Sequence, residues 1–182
     1  MLKRLAILGV AAGLAGALMA APATAKVLTF TAELSGNSMS TMTGSKATGH
    51  ARILVDTDTQ MVDVSMDVTG LKIENLWTHL RESPLGPIHM HVYGGHDHSA
   101  SAPAQLLFPV PYGPYYVATD KGFHVELKGA PYAASVKTVN STATFDQFVQ
   151  ALESGQIVLN VHTNANNNGE ISGDVIPGRE DR

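Results

Sequence analysis

Beyond residue 26, hydrophobic and polar residues alternate with period two over most of the chain, the signature of strands that bury one face. The clearest run is Met61–Leu71: Val62, Val64, Met66 and Val68 lie on one side, Asp63, Ser65 and Asp67 on the other. Val27–Leu34 sets Leu28, Phe30, Ala32 and Leu34 against Val27, Thr29, Thr31 and Glu33. His50–Val55 and Phe123–Lys128 repeat the pattern. Gln156–Thr163 and Glu170–Ile176 form a last pair, joined by Asn164–Gly169, whose Asn and Gly residues tolerate left-handed backbone. Ile73–Glu82 and Ile88–Tyr93 flank Ser83-Pro84-Leu85-Gly86-Pro87, which reads as the turn of a hairpin. Thr144–Ser154 has helical spacing instead, with Phe145, Phe148, Val149 and Leu152 on one side, Thr144 as cap and Gly155 as stop. Gly94–Tyr116, interrupted by Pro103, Pro109, Pro111 and Pro114, reads as a long loop, and long ordered loops often carry function. The pattern predicts an all-β fold, an antiparallel β-sandwich of Greek-key or immunoglobulin-like type with one short α-helix.

The first 25 residues follow a different logic. Lys3 and Arg4 precede the uncharged run Leu5–Ala21, and Pro22 is followed by Ala23-Thr24-Ala25, an A-x-A cleavage pattern. This predicts a signal peptide cut after Ala25, a domain over 26–178 and a polar tail at 179–182. The protein is thus expected in the periplasm or secreted, with no membrane attachment once the signal is removed.

Composition narrows the chemistry. A net charge of -4 excludes the basic footprint of a nucleic-acid binder. The absence of Cys excludes disulfide scaffolds, thiol nucleophiles and thiolate metal sites. Histidine is therefore the main transition-metal ligand this chain can offer, and it has eight.

In His89-Met90-His91 a strand places both imidazoles on one face, roughly 6.6 Å apart at Cα. Ile88, Met90 and Val92 take the other face. In Gln156–Thr163 the apolar side is Ile157, Leu159 and Val161, which sends Asn160 and His162 to the opposite one. His124 is again on the polar side of its strand, and a hairpin centred near Leu85 would set His79 opposite His91. His89, His91, His162, His124 and His79 are the candidate metal ligands. Nitrogen donors without thiolate suit copper(II) first and zinc second. His96-Asp97-His98 reads as a solvated loop tip, with a second metal site as its sharper alternative, and His50 as structural or exposed. Met39 and Met42 read as parts of an ordinary flexible loop.

Three segments resemble the CHRD family, the chordin-type domain found also in exported bacterial proteins. These are Phe30-Thr31-Ala32-Glu33-Leu34-Ser35-Gly36 with Ala47-Thr48-Gly49, then Ile88-His89-Met90-His91, and Thr144–Val175 with its Asn160-Val161-His162-Thr163 and Gly169-Glu170-Ile171-Ser172-Gly173. Asn in place of Pro in the last loop, Ser172 in place of Arg, and the His96–Tyr116 insert depart from the family pattern. More remotely, the H-x-H and V-H pattern is similar to the copper half of copper/zinc superoxide dismutase, without that family's cysteine pair or zinc loop. The resemblance implies at most a copper-only site, for binding or delivery of the metal, or for dismutase-like redox activity where a coordination position stays open, with Arg81 named from its place in sequence as the cation that would attract superoxide. It alternatively implies a non-enzymatic interaction domain with structural histidines and an unknown protein partner.

Overall fold

The alternating segments become the strands of one antiparallel sheet in the computed structural model, which describes residues 26–178 apart from Ala100 and Pro103. The proposed signal peptide and tail lie outside the described residues. The strands are β1 (Val27–Ser35), β2 (Thr48–Asp56), β3 (Met61–Thr69), β4 (Ile88–Tyr93), β5 (Ala104–Val110), β6 (Tyr116–Ala118), β7 (Gly122–Pro131), β8 (Ile157–Val161) and β9 (Ile171–Pro177). Their order is β5-β4-β8-β9-β1-β2-β3-β7-β6.

The sheet curls until its ends meet. Phe30, Ile53, Val64 and Val125 from one half pack in the same core as Ile88, Met90, Leu159 and Ile171 from the other. At the seam the Tyr116 hydroxyl of β6 donates to the Val110 carbonyl of β5 at 2.8 Å. One face thus encloses the core, as the two layers of a sandwich would, and the other faces outward. The all-β antiparallel class follows directly from these pairings.

Three helical segments accompany the sheet: α1 (Thr78–Arg81), α2 (Tyr132–Thr138) and α3 (Phe145–Glu153). The expected helix is α3. Its Thr144 side chain accepts from the Gln147 amide at 3.2 Å while Gln147 reaches back to the Thr144 amide at 2.9 Å. Phe148 of α3 and Tyr132 of α2 stack at 4.9 Å, and both lie against Phe108 of β5.

The structure corrects the reading of Ile73–Glu82 as a strand. The segment forms a 3₁₀ turn at Ile73–Asn75 and then α1. Leu76, between the two turns, is extended and bridges to Thr163, and Leu80 is the buried residue of α1. The expected long loop contains β5, whose Pro109 is tolerated because β5 is the last strand of the sheet and needs no outward N–H partner. No helix among the described residues is long and apolar enough to cross a membrane.

Candidate metal centre

Strands β4 and β8 pair in antiparallel register, with His89 opposite Asn160 and His91 opposite Val158. The His162 amide donates to the Pro87 carbonyl at 2.8 Å, which extends that register by one step. With Ile88, Met90, Leu159 and Val161 committed to the core, His89, His91, Asn160 and His162 share the outward face. A bulge in the β4–β5 pairing between Met90 and His91, with Leu107 as the extra residue of β5, falls between the two β4 histidines. Bulges locally increase twist and re-aim side chains.

The three rings converge. His89 stacks on His162 at 4.3 Å and meets His91 edge-on at 4.8 Å. One nitrogen from each of His89, His91 and His162 lies within 4.8 Å of the others. Bonds of about 2.0–2.1 Å need nitrogens roughly 3–4 Å apart, a gap that small ring rotations close.

Backbone carbonyls choose the nitrogens. The His89 Nδ1–H donates to the Gly86 carbonyl at 3.1 Å, and the His162 Nδ1–H to the Asn167 carbonyl at 2.9 Å. In each ring Nε2 then carries the lone pair, the outer-shell arrangement typical of histidine ligands. The His162 Nε2 is buried and has no hydrogen-bond partner. Burial holds His89 down to about 2, helped by repulsion from His162 and His91. Burial and His162 hold His91 down to about 4. Burial also lowers His162, against the favourable bond to Asn167.

Two loops fold back over this face. Residues 36–45 are pinned by Ser40 to Ser172 at 2.5 Å and by Thr43 to the Glu170 carbonyl at 2.7 Å. Residues 94–99 are pinned by His98 Nδ1 to Asp174 at 2.8 Å, with the His98 ring 4.9 Å from that of Tyr93. Ser172 and Asp174 lie opposite Asn160 and Val158, so both loops are anchored on the outward face of β9, the strand next to β8. The expectation of a solvated His96-Asp97-His98 tip holds for His96 and Asp97, which are exposed, and fails for the buried His98.

The other sequence candidates are elsewhere. His79 lies exposed on α1, beside Trp77, because its segment is helical. His124 on β7 bonds to Asp67 at 2.8 Å and Glu126 at 3.2 Å, in a cross-strand row with the exposed His50. Arg81 lies with its guanidinium 4.6 Å above the Tyr112 ring. Sequence reasoning missed the carbonyls of Gly86 and Asn167, because a backbone acceptor leaves no residue-type signal. Asn160 had one: it shares the outward side of its strand with His162.

The Asn160–Thr163 and Gly169–Gly173 motifs have a joint physical sense. The Thr163 hydroxyl donates to the buried Glu170 carboxylate at 2.8 Å, and the Asn166 amide donates to the same oxygen. That closes the loop whose Asn167 carbonyl orients His162.

Fold and site define an all-β protein with a trihistidine pocket on the outer face of a curled sheet. The CHRD domain model matches residues 30–175, nearly all of the described chain, and the protein belongs to the CHRD domain family. Comparison with curated proteins and with solved structures gives no match.

Proposed function

We propose that this CHRD protein is an exported transition-metal binder whose His89, His91 and His162 hold copper, with zinc as the second choice. The observation that carries the reading is the buried, unpartnered Nε2 of His162, in a cluster where one nitrogen from each of three histidines lies within 4.8 Å of the others. A buried nitrogen lone pair is costly unless something occupies it. The three imidazoles are kept neutral by burial, the state a metal requires. Among first-row divalent ions copper forms the strongest complexes with such donors. Bound copper would supply a one-electron redox couple, and a coordination position left open would admit superoxide or another small ligand. His79 and His124 stand outside this ligand set.

The test is copper(II) and zinc(II) titration of the purified, tag-free protein. One equivalent should bind, and the His89→Ala/His162→Ala double variant should lose roughly a hundredfold or more in affinity. A double variant that binds as tightly as the parent overturns the site and leaves the interaction-domain alternative. Dismutase activity has its own assay: a copper-loaded protein no faster than a buffer control leaves a binding or delivery role.

A further inference from the structure

We propose, resting on the trihistidine reading above, that the side-chain carbonyl of Asn160 faces the metal's exchangeable position and selects ligands that donate a hydrogen bond, water above all, over bare anions. Asn160 stands directly opposite His89 and two residues before His162 on the same face. It is 5% exposed, and its Oδ1 is buried without a partner. Its amide nitrogen lies 3.8 Å from where a Cβ on Gly169 would stand, a point also close to the Thr41 side chain.

The described residues contain two buried side-chain atoms with no hydrogen-bond partner, Asn160 Oδ1 and His162 Nε2, on neighbouring outward positions of one strand. A buried carbonyl and a buried imine nitrogen without protein partners each carry a desolvation cost. One assembly satisfies both: a metal on the nitrogen, and a water on the metal donating to the carbonyl. Amide oxygen suits hard cations, so copper takes the imidazoles and leaves the carbonyl to the water proton. An acceptor at that place repels an anion that brings no proton. Asn160 is thus a specificity residue. It favours binding or delivery of the metal over chemistry on a free anion such as superoxide.

The experiment is azide titration of the copper(II)-loaded full chain, followed by its charge-transfer absorption, in the parent and in Asn160→Leu. Leucine is close in volume and has no acceptor. Azide affinity should rise roughly tenfold in Asn160→Leu, the size of one hydrogen-bond-scale interaction, while copper affinity stays within about threefold. Unchanged or weaker azide binding overturns the proposal, weaker binding meaning that the amide N–H₂ faces the metal. A tenfold loss of copper also overturns it, because Asn160 would then be a ligand itself. The parent alone supplies a second measurement: pulsed EPR in D₂O should detect an exchangeable copper-bound water, and its absence overturns the proposal even if the variant does not fold. A parent that takes up no copper defeats the trihistidine reading itself, an outcome distinct from every azide result.

Discussion

His124 and His162 carry the same side chain in opposite settings. Burial alone would lower His124, but bonds to Asp67 and Glu126 raise it above 6.5. Both partners are acceptors, so these bonds favour the imidazolium, in which both ring nitrogens donate. A raised folded value means that its contribution to stability is fully present below 6.5 and is lost as pH rises from there through the higher folded value. NMR titration should place His124 above the ordinary histidine range, and Asp67→Asn should bring it down; a parent titrating at or below 6.5 refutes the ion pair. His162 is instead neutral by burial, which suits a metal ligand and not a salt bridge. That contrast explains why alternation found the polar faces of both strands without telling the two residues apart. Period-two spacing reports a face, whereas charge state depends on which side chains the neighbouring strands bring. Gly86 is a further residue-scale case. Its φ is +76°, and a Cβ there would sit 2.0 Å from the Val110 carbonyl. Gly86→Ala should cost more than about 1 kcal/mol in denaturant unfolding. It should also weaken copper binding, by displacing the carbonyl that fixes His89.

At the scale of elements, the loop between β8 and β9 is a positioning device. Burial pushes the Glu170 carboxyl up, yet hydrogen bonds from Ser45, Asn166 and Thr163 leave it below the usual range and ionised. Glu170→Gln puts an N–H₂ group where donors already point. It should loosen the loop that carries the Asn167 carbonyl and cost roughly 10- to 100-fold in copper affinity, as outer-shell changes do; an affinity within threefold of the parent would separate the loop from the site. Most strands were legible because each buries one face in a single core: Met61–Thr69 and Ile88–Tyr93 read as clean alternation. Ile73–Glu82 was not. Its apolar residues fit both periods over so short a stretch, and the segment instead divides into a 3₁₀ turn, an extended Leu76 bridged to Thr163, and α1. β5 was hidden by its prolines, which an edge position permits and a sequence cannot place at an edge. α2 lacked a side-chain cap, and its Tyr132 and Val136 give only one turn of helical spacing. The hairpin expected across Leu85 failed with the strand reading, and His79 left the candidate ligand set with it.

For the whole molecule, a chain without disulfides keeps three neutral histidines clustered on the outside of its sheet, and that sets its response to acid. In the metal-free protein His89 is held down to about 2 and His91 to about 4, against 6.5 when unfolded. A lowered folded value means that the unfolded chain binds protons first. Stability is therefore whole above about 6.5 and falls as pH drops below it, with the His91 contribution levelling off near 4. The loss runs up to about 2 kcal/mol per histidine by pH 5. His124 works the other way, gaining at low pH, but its pairs with Asp67 and Glu126 are solvent-screened, whereas His89 and His162 are buried and His91 partly so, and the acid loss should dominate. Urea unfolding of the metal-free protein at pH 7.5, 6.5 and 5 should give midpoints that hold between the first two and drop at the third. His91→Gln, at the most open of the three positions, should flatten the drop. A midpoint independent of pH from 7.5 to 5 would mean that the pocket admits protons freely, and the unpartnered Nε2 of His162 would then be answered by water rather than waiting for a metal.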